Sequence, residues 1–218
     1  MIGALLTCVF WAFSAICGQR AARKLGSTRA NVVRLLIAFG VLGTLTFSLY
    51  PNSFHHETFW WLILGGVTGF GIGDAALYLA LARIGSRLTV LITFCVAPVF
   101  GVIGDWLAFG EGPTFAQAAA ALLMIAGVCF TLKPTSPLSE RYGNVGFGLG
   151  CAFVAAAGQG LGAVFSRIAF KEAEALDLEL PALSQAFHRI LGGVFIALIA
   201  SFIVLRSKKR EDHPKPEW

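Results

Sequence analysis

Asp74 closes the run Gly69-Phe-Gly-Ile-Gly73 inside an otherwise apolar stretch. A carboxylate at such a position costs about 2.5–3.5 kcal/mol on insertion scales unless it is paired or hydrated. It is therefore a candidate for moving a proton or contacting a polar solute. The competing reading is a structural ion pair, and Arg34 lies at a compatible depth in its own apolar stretch. The two overlap, because a pair that breaks on protonation is itself a coupling device. Asp105 lies about one turn from the end of its stretch, where it reaches water or pairs with Arg189. Depth alone thus suggests one pair towards each face, Asp74 with Arg34 and Asp105 with Arg189. Pro98 removes a backbone hydrogen bond and predicts a kink, and broken helices near a bilayer midplane are places where solutes bind. Gln19 and Gln159 are further polar residues inside apolar stretches. Trp11, Phe13, Phe70, Tyr78 and Phe94 are candidates for an aromatic cavity wall, against the plainer reading of core packing or lipid contact.

Other chemistries find no support. Cys8, Cys17, Cys95, Cys129 and Cys151 all fall in apolar stretches and form no CxxC pair, as suits small packing residues. His55, His56, His188 and His213 have no metal-ligand spacing. No nucleophile stands with a base, so an intramembrane enzyme is disfavoured, and no cofactor or metal is expected. The glycines around Asp74 lack the strand and βαβ context of a nucleotide fingerprint. Gly65, Gly69 and Gly73 instead repeat every fourth residue, which puts them on one helical face open to close approach by a neighbour. Gly66 and Gly71 widen that smooth surface, and Gly158 and Gly162 offer a similar one further on. A minor alternative makes this face a cavity wall. Glu111, in the tight Gly110–Pro113 turn, reads as a loop determinant.

The elements that carry these residues follow from composition. Of 218 residues, 56% are hydrophobic and 13% charged, against about 25% charged in a soluble domain. Apolar stretches long enough to cross a hydrocarbon core of about 30 Å recur along the chain. They predict an all-α integral membrane protein with about seven transmembrane helices, near 2–22, 32–50, 59–81, 88–109, 115–132, 145–168 and 184–205. No period-two alternation supports a barrel. Trp60, Trp61 and Trp106 fall near expected interfaces, where indoles anchor. The first stretch lacks a basic leader and is followed by Arg20, Arg23 and Lys24, so it reads as a retained helix. The segment 206–218 is a polar tail with the composition of disorder.

Loops 23–31, 82–87 and 133–144, together with the tail, gather most of the basic residues. The opposite side carries Glu57, Glu111, Glu172, Glu174, Asp177 and Glu179. The positive-inside rule makes the basic side cytoplasmic, in a cell membrane, with the N-terminus outside. The net charge of +5 is thus a topology signal, and nothing reads as a nucleic-acid surface.

An internal repeat links the two ends of the chain. The stretch from Trp11, WAFSAICGQRAARKLG, parallels QGLGAVFSRIAFKEAE from Gln159. Each is followed by a helix with an early arginine, Asn31-Val-Val-Arg34-Leu-Leu and Ala186-Phe-His-Arg189-Ile-Leu. The copies lie five spans apart, in the first and the sixth, and that odd offset gives them opposite orientation. From Leu64 to Leu132 the chain resembles the EamA-like branch of the drug/metabolite transporter superfamily. The resemblance rests on the glycine-rich helix leading to Ala80-Leu81, the Gly85-Ser86 break, Pro98, the Gly110-Glu111 turn and the Ala/Gly-rich last helix, in that order.

The resemblance implies a bundle of two inverted five-helix repeats around a substrate cavity. On it, 1–133 is a first repeat and 144–205 two helices of an inverted second one. The N-terminus is an exception, because members of the family commonly place it in the cytoplasm. The implied function is secondary transport of small metabolites or drugs by alternating access, with the lipid bilayer and a small-molecule substrate as partners. The alternative is a truncated homologue that inserts without transporting and serves as a partner subunit or inactive fragment. Either a second copy or further C-terminal helices would then complete the cavity.

Overall fold

The computed structural model describes residues 2–110, 112–131 and 145–211, and these are almost wholly helical. The helices are α1 (Ile2–Leu25), α2 (Ser27–Leu49), α3 (His56–Gly66), α4 (Asp74–Phe109), α5 (Phe115–Thr131), α6 (Val145–Ala175) and α7 (Ala182–Glu211). A π-helical segment, Val67–Gly73, joins α3 to α4 without a break. The described residues contain five helical stretches long and apolar enough to cross a membrane, and α5 adds a shorter apolar helix. The chain is a multi-pass membrane protein, and the expected spans fall on these helical stretches. Large apolar side chains such as Phe10, Ile37, Leu107 and Leu123 lie exposed on the outside, a surface that suits lipid and not water.

Local chemistry explains where the helices turn. Gly26 alone separates α1 from α2, with φ of 86°, a conformation that costs glycine little. The 54-residue stretch His56–Phe109 is broken only at Gly85, whose φ of 78° and ψ of 167° lie outside the helical region. Only glycine populates that corner readily. Ser86 then begins a fresh helix, and its orphan N–H is met by Gln19 Oε1 at 3.1 Å. At the start of α5, Thr114 and Gln117 form a reciprocal capping box.

The contacts of α6 show that the chain reverses at Gly85. A Cβ on Gly148 would lie 2.5 Å from Ile84, one on Gly158 2.7 Å from Gly73 Cα, and one on Gly162 2.9 Å from the Gly65 carbonyl. The arm 56–84 therefore runs antiparallel to α6. On the other side, Gly160 meets the Ala97 carbonyl and Gly104 meets Val164, so the arm 86–109 runs parallel to α6. The two arms form a helical hairpin with α6 laid along both.

The same reasoning orients the rest. α7 advances with the arm 56–84, because Gly192 meets Ile63 and Gly193 meets Phe70. It opposes α2, because Thr46 Oγ1 donates to the Leu183 carbonyl at 3.4 Å while Gly43 meets Phe187. α1 runs beside the first arm, with Gly18 against Tyr78 and Gln19 at Ser86. Hence α1 and α6 point in opposite directions, and so do α2 and α7. One end of the bundle holds the α1–α2 turn and Gly85. The other holds the connections after α2 and α6, where His55 Nε2 meets the Glu179 carbonyl at 3.1 Å and Ser184 Oγ donates to the Ser53 carbonyl at 3.2 Å.

At Pro98 the backbone angles of α4 stay helical, and the proline is exposed. Two expectations need correction. The polar tail begins as helix, because α7 continues to Glu211, whereas 212–218, the loop 133–144 and Glu111 lie outside the described residues. Finally, α6 extends to Ala175, beyond the expected end at 168.

Candidate functional site

The site is built around one carboxylate. Asp74 follows the π-helical segment directly, and its N–H donates to the Gly69 carbonyl five residues back. Three glycines in that segment lower the cost of leaving the α-helical pattern, and Thr68 Oγ1 draws on the Leu64 and Gly65 carbonyls at 2.8 and 3.3 Å. Such segments are rare and recur at functional sites. The Asp74 side chain is buried, with 3% of its surface exposed.

Two elements from different parts of the chain satisfy it. Arg34 Nη2, on α2, donates to Asp74 Oδ2 and forms an ion pair with it. Gln159 Nε2, on α6, donates to Oδ1 at 2.9 Å. Arg34 is held in turn by Asn31 Oδ1, 3.4 Å from the same Nη2, and its guanidinium lies over the Tyr78 ring at 5.6 Å. Asn31 is buried, and sequence reasoning did not single it out as a site residue. The signal was its spacing, since residues three apart on a helix share a face.

The arginine of α7 approaches from the opposite direction. Arg34 stands seven residues into α2 (27 to 34) and Arg189 seven residues into α7 (182 to 189), about 10 Å in from each helix start. Because α2 and α7 oppose each other, the two guanidinium groups converge from opposite ends of the bundle. Arg189 lies over the Phe70 ring at 4.8 Å, and a Cβ on Gly69 would meet its Nη2 at 3.3 Å.

Beside Arg34 and Asp74 is a cavity of about 30 Å³ lined by Trp11, Ser14, Tyr78 and Phe94 among others. That volume accommodates water but not a metabolite. Trp11 and Phe94 close one wall as an edge-to-face pair with centroids 5.0 Å apart. Of the other aromatic candidates, Phe70 serves Arg189, and Phe13 is 67% exposed on the outer surface.

The remaining candidates fall elsewhere. Asp105 does not pair with Arg189: it takes Arg167 Nη1 of α6 at 2.6 Å. The parallel run of α6 beside the arm 86–109 puts those two side by side, whereas Arg189 faces the π-helical segment. Gln19 caps the helix after Gly85 and does not line the cavity, nor does Pro98. Gly65, Gly69 and Gly73 pack face to face on Gly158 and Gly162, with backbone against backbone. Among the described residues no group of His, Cys, Asp and Glu could hold a metal ion.

Residues 1–133 match the model of the EamA-like transporter family, which is more than half of the 218-residue chain. No curated protein and no solved structure matches.

Proposed function

This chain belongs to the EamA-like transporter family, and on that premise we propose that it carries small metabolites or drugs across the membrane by alternating access, with Asp74 as the coupling group. The observation that carries the reading is the double attachment of Asp74 to Arg34 of α2 and Gln159 of α6. One buried carboxylate ties the first five-helix repeat, 1–133, to the partial second repeat, 144–205. The opposed directions of α1 and α6, and of α2 and α7, support an inverted relation between these halves. Protonation of Asp74 removes its charge and weakens its hold on Arg34, whose side chain is 36% exposed. A proton arriving from one side would thereby loosen the joint between the halves and free a cation for the solute.

Sidedness follows the same reading. The end that holds the α1–α2 turn and Gly85 also carries Arg20, Arg23, Lys24, Arg29, Arg83 and Arg87, and we assign it to the cytoplasm. The test is uptake of a metabolite panel into proteoliposomes under an imposed proton gradient. Wild type is expected to accumulate at least one solute, and Asp74→Asn to lose that accumulation. Equal accumulation by the variant would remove Asp74 from the mechanism, and none by wild type would remove transport by this chain.

A further inference from the structure

The charge balance of the buried centre is uneven. Arg34 pairs with the one carboxylate, Asp74, and Arg189 reaches the same π-helical segment at Gly69, whose carbonyl accepts the Asp74 N–H. Both Asp74 oxygens are already engaged, one by Arg34 and one by Gln159. Arg189 forms no ion pair among the described residues, and its Nε is buried with no hydrogen-bond partner. The Arg34 Nε is in the same condition. The aromatic face of Phe70 compensates Arg189 only in part, because a cation–π contact is worth about 0.5–2 kcal/mol. A surplus cation far from either end of a membrane bundle is expensive, and the cheapest remedy is an anion that accepts the unmet N–H groups. Arginine suits this role, since its planar fork matches a carboxylate in two bonds.

The cavity beside Arg34 supplies the rest of the specification. Its walls are aromatic at Trp11, Tyr78 and Phe94, with the Ser14 side chain adding a hydroxyl to the lining. An inorganic anion would gain nothing from such walls, whereas the apolar body of an organic acid would gain from them once the cavity widens.

We propose that the solute is a small organic monocarboxylate, its carboxylate received by the unmet N–H groups of Arg34 and Arg189 and its apolar body placed against Trp11, Tyr78 and Phe94 when movement of the halves widens their water-sized cavity. This rests on the transport reading above for its setting, but its charge argument is separate. A bound carboxylate brings the centre to two cations and two anions while Asp74 is ionised. Protonation of Asp74 then leaves the carboxylate as the sole anion, so the proton tightens the grip on the solute.

Two readouts separate this inference from transport itself. The first is the thermal stability of the purified full chain in detergent, with phenylacetate, phenylacetamide, phenethylamine or inorganic phosphate added. The second is flux of the same compounds into proteoliposomes. Phenylacetate is expected to raise the unfolding temperature, with the amide binding weaker by about tenfold to a hundredfold, as loss of a charged hydrogen bond does. Arg189→Gln should erase that preference and Arg189→Lys, which keeps the charge, should retain part of it. The lysine variant also guards against a glutamine variant that fails to fold. Equal stabilisation by the amide or amine overturns the carboxylate assignment, and equal stabilisation by phosphate overturns the organic one. No shift with any compound overturns both. Stabilisation by phenylacetate without flux would leave the anion site standing and count against transport, whereas flux of amine or amide alone would do the reverse.

Discussion

Asp74 is the residue on which the charge arithmetic turns. Removing one member of a buried pair leaves the other uncompensated, at a cost of about 3–5 kcal/mol. Here the two removals are unequal. Asp74→Asn strands Arg34 in a segment where the Arg189 Nε is already unmet, whereas Arg34→Gln leaves Asp74 with Gln159. Thermal unfolding in detergent should show the asparagine variant losing about 3–5 kcal/mol and the glutamine variant about 1–3 kcal/mol. Equal losses, or the reverse order, would mean that Arg189 contributes nothing at Asp74. Much of this was legible in the sequence, since an intramembrane carboxylate needs a partner and Arg34 had the right depth. The Asp105–Arg189 pairing misled because depth does not give the direction in which a side chain points around its helix. Arg167, the true partner, lay inside the expected span 145–168, but nothing in its spacing singled it out.

At the scale of the element, backbone approach decides the packing. A Cβ on Gly158 would sit 2.6 Å from the Thr68 carbonyl and 2.7 Å from Gly73 Cα, and neither atom is the end of a flexible side chain. Gly150, on the same helix, has open space around it. Gly158→Ala should therefore destabilise by about 1–3 kcal/mol through overpacking. Gly150→Ala should stabilise by about 0.5–1 kcal/mol through helix propensity. Unfolding curves of the two variants check this, and a neutral Gly158→Ala would contradict the close contact of α6 with the π-helical segment. The four-residue spacing of Gly65, Gly69 and Gly73 made a packing face readable. The π-helical hydrogen bonds were not, because glycine content lowers the cost of that conformation without demanding it. The turn at Gly85 was readable from Gly-Ser between apolar runs.

For the whole molecule, alternating access requires the halves to move against each other. The antiparallel contact of α2 with α7 joins them, and Thr46 and Leu183 touch across it. In a background without the native cysteines, Thr46→Cys with Leu183→Cys, joined by a short thiol cross-linker, should stop flux that either single variant supports. Reversal of the block on cleaving the linker would exclude damage to the fold, and unaltered flux in the joined protein would count against motion at this contact. That the chain is all-helical and crosses the membrane several times was legible from hydropathy. The reversal at Gly85 and the convergence of Arg34 and Arg189 needed three dimensions, because they depend on which helices run side by side.

The most direct test of Asp74 as the coupling group compares two fluxes in the same proteoliposomes. One is exchange of solute with no gradient, the other accumulation against a concentration difference under a proton gradient. Asparagine mimics the protonated carboxyl, so Asp74→Asn should exchange within about threefold of wild type, a difference below 1 kcal/mol, and accumulate nothing. A variant that still accumulates solute, or one that stays folded yet exchanges none, would contradict that assignment.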